Sequence, residues 1–328
     1  MARRNFLFIF LLLLALFAHA QQKKPVSIIF DSDIGPDYDD VGAITILHVF
    51  ADQGKAKILA TIASNKYEGV AAVLDVFNTY FKRPNIPIGV PKGNAVDLKD
   101  SQHWTDSILL KFPHSIKYNN QVPDAIEVYR KVLSSQPDHS VTIVSVGFFT
   151  NLANLLKSSA DQFSKLSGKE LIKKKVKLLV SMGGWFPSGK EFNISQDAMS
   201  SKYALEQWPT PVIFSGFNIG KNIKTGLPLI HNKNIKNSPV KDVFSISIPL
   251  APEDSSGRMS WDETAVLVAV KGFSPYFSLH PGKILVKDDG SNSWAQGNLG
   301  QYYLIQKSDP RKVADLINHL IMEPPKKY

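Results

Sequence analysis

Short apolar runs alternate along the chain with longer segments in which apolar residues recur every three or four positions. The short runs predict buried strands at residues 26–30, 57–63, 86–90, 141–146, 176–182, 211–214 and 283–286. The periodic segments predict helices at residues 40–51, 68–81, 124–133, 150–157, 198–207, 261–270 and 309–322. Residues 91–113 and 224–253 show neither pattern clearly, and we expect irregular structure there.

This alternation predicts an α/β fold: a single domain with a mainly parallel central sheet and helices on both faces. Strands that are apolar along their whole length are typical of a parallel sheet that is covered on two sides. The sequence shows no linker rich in Pro, Gly or Ser and no internal repeat, so one domain accounts for residues 21–328. Such sheets bind ligands at the carboxyl ends of their strands, where we expect the functional residues.

The first twenty residues have a different character from the rest of the chain. Arg3 and Arg4 precede an unbroken apolar run at residues 6–17, and residues 18–20 (AHA) form a small-x-small cleavage site. This pattern predicts a secretory signal peptide at residues 1–20 that is removed after use. The apolar run is too short to span a bilayer comfortably. We therefore expect a periplasmic or secreted protein with no stable membrane anchor after cleavage.

Composition narrows the classes of function. The chain has 328 residues, of which 44% are hydrophobic and 20% charged, as is typical of a globular protein. It contains no cysteine, so neither a lipoprotein anchor nor a disulfide framework is predicted. The formal net charge is +9, but the lysines are scattered and are not interleaved with aromatic residues. We therefore expect no nucleic-acid partner, and the sequence leaves both a monomer and a homo-oligomer open.

Five aspartates fall within the eleven residues FDSDIGPDYDD (residues 30–40), directly after the first predicted strand. Burying unpaired carboxylates is costly, so we expect positive charge to lie among them. Asp39 and Asp40 stand at a predicted helix start, where free backbone N–H groups favour negative charge. The charge that remains favours a hard cation with oxygen ligands.

Three chemistries compete for this acidic motif. A calcium loop of the EF-hand type is excluded, because Pro36 and Gly42 stand where that loop needs Gly and Glu. A phosphatase of the haloacid dehalogenase type is one alternative, with Asp31 and Asp33 after the first strand and residues 288–289 as its later acidic pair. However, that family expects Gly-Thr directly after its second Asp. The third alternative is indicated by a resemblance to a known protein family.

The motif resembles the amino-terminal signature of the nucleoside hydrolase family, Asp-x-Asp-x-Gly-x-Asp-Asp followed by a helix of small apolar residues. The matching positions are Asp31, Asp33, Gly35, Asp39 and Asp40, in a loop two residues longer than the common form. Further family-like motifs follow in order: Asn65 after the second strand, GFFTN at residues 147–151, MGG at 182–184, EFN at 191–193 and WD at 261–262.

The resemblance implies an enzyme that hydrolyses the N-glycosidic bond of a small-molecule substrate, a ribonucleoside, to free base and ribose. It implies a calcium ion (Ca²⁺) held by Asp33, Asp40, Asp262 and the carbonyl of Thr150. It also implies that Asp33 is the general base towards the water that the ion orients. The implied substrate-binding residues are Asp39, Asn65, Met182, Glu191, Asn193 and Trp261.

Single positions refine this hypothesis. Glu191 and Asn193 alternate, so in an extended segment both side chains point the same way. Trp261 stands where some family members hold a proton-donating His, and its flat face favours stacking on a purine base. Asp31 is expected to hold the loop, and Asp37 to be solvated. A non-catalytic exported protein that binds a nucleoside or ribose remains an alternative of a different class.

Overall fold

The computed structural model describes residues 24–326, so the predicted signal peptide lies outside the described residues. The strands are β1 (Val26–Ser32), β2 (Ala56–Ala63), β3 (Ile88–Gly89), β4 (Val141–Ser145), β5 (Val176–Met182), β6 (Ser188–Lys190), β7 (Val212–Ser215), β8 (Lys224–Thr225), β9 (Arg258–Met259), β10 (Phe277–Val286), β11 (Ser291–Gln296) and β12 (Gln301–Gln306).

The α-helices also follow one another in chain order. They are α1 (Asp39–Asp52), α2 (Val70–Tyr80), α3 (Trp104–Lys111), α4 (Ala125–Ser134), α5 (Thr150–Lys157), α6 (Gly168–Lys175), α7 (Phe192–Gln196), α8 (Ala198–Gln207), α9 (Phe217–Gly220), α10 (Leu227–His231), α11 (Pro239–Leu250), α12 (Trp261–Lys271) and α13 (Pro310–Ile321). Within residues 24–326, none of these helices is both long enough and apolar enough to span a bilayer.

The strands form a ten-stranded sheet in the order β3-β2-β1-β4-β5-β7-β12-β10-β11-β6. The pairs from β3 to β12 are parallel, and the pairs that join β12, β10, β11 and β6 are antiparallel. A separate antiparallel pair, β8 with β9, lies outside this sheet. The predicted fold, a single α/β domain with a mainly parallel sheet, is confirmed.

Buried side chains pack on both faces of the sheet. Ile28 and Phe30 of β1 belong to a core cluster that includes Val41 of α1. Ile29, which points to the other face, belongs to a second cluster that includes Tyr129 of α4. Because both faces are covered by helices, the central strands read as continuous apolar runs, which is why the sequence pattern locates them.

The expectation of irregular structure is wrong for two segments. The first contains α3, where Trp104 and Ile108, one helical turn apart, are fully buried. The second contains α10 and α11, and α11 begins with a Ser238 side chain that accepts a hydrogen bond from the backbone N–H of Lys241. The helical period is weak in α3, where three of eight residues are buried. In α11 the buried residues Val240, Val243, Phe244 and Ile248 do recur at helical spacing, so the sequence pattern contains a signal for this helix.

The sequence pattern also misses most of the antiparallel end of the sheet. Only residues 283–286 of β10 are predicted, and neither β11 nor β12 is. The two missed strands read SNSWAQ and QYYLIQ, with many partly exposed positions. Strands that are solvated on one side lack the continuous apolar run that marks the parallel strands.

Candidate active site

A cavity of about 540 Å³ opens at the carboxyl ends of β1, β4 and β5. Asp33 follows β1, Val146 follows β4, and Met182 ends β5, so the cavity lies at the edge of the sheet where ligand binding is predicted. The other lining residues come from the loop before α1, from the β6–α7 segment, and from the region around α9, β9 and α12: Asp37, Asp39, Lys190, Glu191, Phe192, Asn193, Ser195, Phe217, Glu253, Arg258, Met259, Trp261 and Asp262.

Buried carboxylates from two helices that are distant in sequence meet beside Asp33. Asp39 and Asp40 begin α1, and Asp262 lies in the first turn of α12. One carboxylate oxygen from each of these three residues lies within 4.8 Å of the others. Asp40 Oδ1 accepts a 2.5 Å hydrogen bond from Ser32 Oγ. Within residues 24–326, Asp33 Oδ2 and Asp40 Oδ2 have no hydrogen-bond partner.

Burial and mutual repulsion disfavour the ionised forms of these groups. Burial raises the pKa of Asp33 well above its ordinary value, and the charge of Asp40 raises it further. Burial also raises the pKa of Asp262, followed by the charge of Asp39. Burial raises the pKa of Asp40 only to about 6, because a hydrogen bond from Ser32 opposes it. A nearby positive charge favours ionised carboxylates and so lowers these pKa values.

The donor set fits a hard divalent cation. Carboxylate oxygens are the ligands that Ca²⁺ and Mg²⁺ prefer, and this cluster contains no sulfur or imidazole donor. Buried polar atoms normally have partners, so the two unpaired oxygens of Asp33 and Asp40 indicate a place for an ion. The cluster therefore contains two of the predicted metal ligands, Asp40 and Asp262, with Asp39 as its third member. Asp33 lies close enough for its charge to act on Asp262 and for the charge of Asp40 to act on it.

The fourth predicted ligand, Thr150, lies elsewhere. Its hydroxyl donates a 2.5 Å hydrogen bond to Asp197, and both residues line a separate polar cavity. As the first residue of α5, Thr150 has a carbonyl that the regular hydrogen bonds of the helix use. Val146, which lines the main cavity and whose carbonyl accepts a 3.0 Å hydrogen bond from Asn193 Nδ2, is the better-placed backbone oxygen. The structure therefore favours the carbonyl of Val146 over that of Thr150 as the backbone ligand.

Arg258 in β9 is the positive charge that the acidic loop requires. It is 6% exposed, and its Nη2 pairs with Asp37 and lies 2.6 Å from Asp39 Oδ1. Asp37 is therefore ion-paired rather than simply solvated, which corrects the expectation for that residue. The sequence predicts a hard cation as the positive charge among the aspartates and does not predict an arginine there. The available signal is slight: a single Arg four residues before Asp262.

Asp39 uses both carboxylate oxygens in contacts within the protein. Its Oδ1 accepts hydrogen bonds from Arg258 Nε at 3.2 Å and Nη2 at 2.6 Å. Its Oδ2 accepts from the backbone N–H groups of Trp261 at 3.2 Å and Asp262 at 3.3 Å. Asp39 also lines the cavity. Its main observed role, however, is structural, because these four hydrogen bonds connect the starts of α1 and α12.

Asn65 is fully buried and does not line the cavity. Its Nδ2 donates to the carbonyls of Asp33 at 3.1 Å and Leu98 at 2.5 Å, and its Oδ1 accepts from the N–H of Leu98 at 3.0 Å. The side chain thus ties the loop after β1 to the segment after β3. These contacts are structural, and the predicted contact of Asn65 with a substrate stays a prediction.

Asp31 has the structural environment that the sequence analysis expects. Tyr129 donates a 2.7 Å hydrogen bond to its Oδ2, and Asn151 Nδ2 donates another at 3.1 Å. The residue is fully buried, does not line the cavity, and has a pKa raised by burial to about 7. It holds the end of β1 against α4 and α5.

Glu191, Asn193 and Met182 line the cavity as predicted, but through a different local structure. Residues from Phe192 onwards form α7, and Glu191 is its N-cap, so the expected extended segment is wrong. The Glu191 carboxylate accepts from the N–H of Asn193 at 2.8 Å and of Gly184 at 3.1 Å. Asn193 Nδ2 also lies 3.3 Å from Met182 Sδ.

Aromatic rings form one wall of the cavity. Trp261 lines it as predicted, and its Nε1 donates a 2.8 Å hydrogen bond to the carbonyl of Phe217. The Phe217 ring lies nearly parallel to Trp261 at 5.2 Å and to Trp185 at 4.2 Å between centroids. Phe192, on the α7 side, also lines the cavity and is 41% exposed. The sequence motifs do not predict this exposed aromatic surface.

The structure does not support a phosphatase of the haloacid dehalogenase type. Asp31 is sealed in the interior, so it is not available as a nucleophile. Of the later acidic pair, Asp288 forms an exposed ion pair with Lys202, and Asp289 accepts hydrogen bonds from Ser291 in the turn between β10 and β11. Neither residue lines the cavity that contains Asp33.

Proteins of known sequence resemble this chain. A sequence profile described as inosine-uridine preferring nucleoside hydrolase matches residues 28–310. Pyrimidine-specific ribonucleoside hydrolases from Salmonella paratyphi A and Salmonella dublin are 28% identical over 200 residues. That match covers 58% of this chain and 60% of each relative, so the chain spans about three fifths of their length.

Solved structures share the fold at low sequence identity. An inosine-guanosine nucleoside hydrolase has a TM-score of 0.69 and 19% identity, and the match covers 90% of this chain and 98% of that one. A purine-preferring ribonucleoside hydrolase from Gardnerella vaginalis has a TM-score of 0.67 and 17% identity, with the same coverage. Since the family profile extends over most of the chain, from β1 to the start of α13, this protein belongs to the inosine-uridine preferring nucleoside hydrolase family.

Proposed function

We propose that this protein hydrolyses the N-glycosidic bond of ribonucleosides and releases the free base and ribose. The observation that carries the proposal is the cluster of buried carboxylates with Asp33 beside it, at a cavity of about 540 Å³. Within residues 24–326, one oxygen of Asp33 and one of Asp40 have no hydrogen-bond partner. A cavity of that size is typical of sites for small organic ligands. The family to which the chain belongs supports the same class of reaction.

Asp33 is the general base in this proposal. Cleavage of an N-ribosyl bond passes through an oxocarbenium-like sugar, which water attacks. Asp33 lines the cavity, and its unpaired Oδ2 is free to accept the proton of the attacking water. Asp33, Asp40 and Asp262 would hold a calcium ion, which would supply positive charge for orienting this water and the ribose hydroxyls.

The α7 side of the cavity is suited to hold the sugar. Asn193 uses its Nδ2 for Val146 and Met182, and within residues 24–326 its Oδ1 accepts no hydrogen bond. That oxygen is available to a ribose hydroxyl. Glu191 keeps α7 in place through its cap hydrogen bonds, and its charge contributes to the negative potential around Asp33.

The aromatic wall is suited to the base. Stacking of a base on an aromatic side chain is worth about 1–3 kcal/mol, and a purine covers more of such a wall than a pyrimidine does. Among residues 24–326, no His, Tyr or Cys lines the cavity, so the departing base has no proton donor of these types. We therefore expect purine nucleosides to be cleaved with higher kcat/KM than pyrimidine nucleosides.

A nucleoside panel tests the proposal. The purified protein with calcium is incubated with inosine, guanosine, adenosine, uridine and cytidine, and free base and reducing sugar are measured. Release of both, abolished in Asp33→Asn but not in the exposed control Asp288→Asn, is the expected result. Binding of nucleosides without cleavage would favour the non-catalytic alternative, and phosphate release from a phosphomonoester would favour the phosphatase.

We also propose that the protein is exported. The proposal is supported by the basic residues Arg3 and Arg4, the apolar run at residues 6–17 and the cleavage site at 18–20. Fractionation of expressing cells, with amino-terminal sequencing of the exported form, tests it. An amino terminus at Gln21 outside the cytoplasm is expected, and an uncleaved protein that stays inside would contradict it.

A further inference from the structure

Arg258 bridges carboxylates that belong to different segments of the chain. Its Nε and Nη2 donate to Asp39 Oδ1 at 3.2 and 2.6 Å, and Nη2 also pairs with Asp37. Its Nη1 lies 3.4 Å from Asp254 Oδ2. The planar guanidinium fork can serve several carboxylates at fixed angles, which the single ammonium of a lysine cannot do.

Aromatic packing fixes the orientation of the guanidinium. Its central carbon lies 4.6 Å from the ring centroid of Tyr38 and 5.2 Å from that of Trp261. The Tyr38 hydroxyl donates a 2.6 Å hydrogen bond to Asp254 Oδ2, so the ring that packs on Arg258 is itself held in place. Charge and packing therefore hold this side chain in one geometry.

Asp39 transmits that geometry to α12. Its Oδ1 is held by Arg258, and its Oδ2 accepts from the backbone N–H groups of Trp261 and Asp262. The first N–H groups of a helix have no partner within the helix, so Asp39 satisfies two of them. Asp39 is also the first residue of α1, with Asp40 next to it. One carboxylate thus joins the starts of α1 and α12.

We propose that Arg258 is a positioning residue: by orienting Asp39 against the start of α12, it sets the separation of Asp40 and Asp262 on which cation binding depends. This inference rests on the proposed function, because the cation belongs to that site. Arg258 itself needs no contact with the reacting atoms in this role.

The sign of one effect separates positioning from simple electrostatics. Arg258 carries a positive charge close to the acidic cluster, so charge alone predicts that its removal tightens the binding of a cation. Positioning predicts the opposite, because the ligands on α1 and α12 lose their fixed separation. Arg258→Met removes the charge, whereas Arg258→Lys keeps the charge and removes the fork.

The control is Arg83→Lys. Arg83 pairs with Asp52, the last residue of α1, at 2.5 Å, so this substitution perturbs an ion pair at the opposite end of the same helix. The first measurement is hydrogen–deuterium exchange of overlapping peptides that contain Trp261 and Asp262, in protein freed of metal by chelation. The second is calorimetric titration of each protein with calcium.

Both Arg258 variants should exchange the amide hydrogens of residues 261–262 at least about tenfold faster than wild type, as expected when hydrogen bonds to a charged group are lost. Calcium should bind both variants at least about tenfold more weakly, whereas Arg83→Lys should match wild type in both measurements. Unchanged exchange at residues 261–262 in Arg258→Lys, or tighter calcium binding by Arg258→Met, would overturn the proposal. If Arg258→Met does not fold, the amide exchange and the calcium affinity of Arg258→Lys alone test the proposal.

The two proposals fail in different ways. If wild-type protein binds no calcium, the cation of the proposed function is wrong, and the exchange measurement alone decides whether Arg258 positions Asp39. Suppose instead that calcium binds wild type and both variants equally and that the exchange rates do not change. The proposed cation site would then be supported, and the positioning role of Arg258 would be contradicted.

Discussion

Two aspartates that are separated by one residue have contrasting environments. Asp33 lines the cavity with an unpaired Oδ2, whereas Asp31 is enclosed by Tyr129 and Asn151. The same side-chain chemistry is therefore available to a ligand at one position and committed to the interior at the other. This contrast supports the proposed roles, which are proton transfer for Asp33 and support of the β1 end for Asp31.

Asn substitutions at the two positions should have different consequences. Asp33→Asn should lower kcat by at least about a hundredfold, because an amide cannot accept the proton of the attacking water. Asp31→Asn should mainly lower the urea midpoint of unfolding, because it weakens a buried hydrogen-bond network. Steady-state kinetics and urea titration of both variants check this. Equal losses of kcat would contradict the assignment.

The buried residue His48 should make the stability of the protein depend on pH. It is fully buried, its Nε2 lies 3.0 Å from Asn78 Oδ1, and its ring stacks on Phe81 with 4.8 Å between centroids. Burial lowers its pKa to about 3. The folded protein therefore holds His48 neutral at pH values where an unfolded chain already protonates it.

The sign of this effect follows from proton uptake on unfolding. Stability from the neutral His48 is complete above the unfolded pKa, near 6.5, and is lost as the pH falls from there towards 3, by up to about 1.4 kcal/mol per pH unit. His48→Gln should flatten the dependence of the free energy of unfolding on pH between 6.5 and 4. His231→Gln, a substitution at an exposed His, should not change this dependence. Urea unfolding at several pH values between 7 and 4 measures it. If the free energy of unfolding depended on pH in the same way in wild type and in His48→Gln, the role of His48 would be ruled out.

At the scale of helices and strands, the sequence predicts best the elements with dense apolar patterns. The predicted bounds of β5 and α8 agree with the structure. The helix α3 is missed because only three of its eight residues are buried, whereas α11 is missed although six of its twelve residues are. In the site, the motifs locate Asp33, Asp40 and Asp262. They do not locate Arg258, because an ion pair between residues 219 apart in sequence leaves no local pattern.

A close approach of two loops gives a prediction at this scale. Gly147, in the turn between β4 and α5, has no room for a side chain: a Cβ there would overlap the backbone N of Asp33 and Ser64 Oγ. Gly147→Ala should destabilise the protein by about 1–3 kcal/mol, as overpacking usually does, and should lower kcat by displacing Asp33. Thermal unfolding and steady-state kinetics measure both effects.

The control is Gly93→Ala, since the space around Gly93 is open and a methyl group is accommodated there. It should leave kcat unchanged. If Gly147→Ala were as stable and as active as Gly93→Ala, the contact between the two loops would not constrain Asp33.

For the whole molecule, the bound cation should contribute to stability. A ligand that binds only the folded state at 100 times its Kd adds about 2.7 kcal/mol. Chelation should lower the Tm and abolish turnover, and calcium should restore both. Calorimetry with and without chelator, together with elemental analysis of the purified protein, measures this. Full turnover in excess chelator with no metal detected would exclude the cation.

The link between the starts of α1 and α12 joins residues 223 apart in sequence. Contacts that close so long a loop lose much chain entropy before they gain any interaction energy. We expect this link to be unformed in the transition state for folding. Calcium, which we propose binds beside this link, should therefore leave the folding rate almost unchanged. Instead, calcium should slow unfolding, so the ion should act on the lifetime of the native state. Stopped-flow unfolding in urea, with calcium or chelator, measures this lifetime.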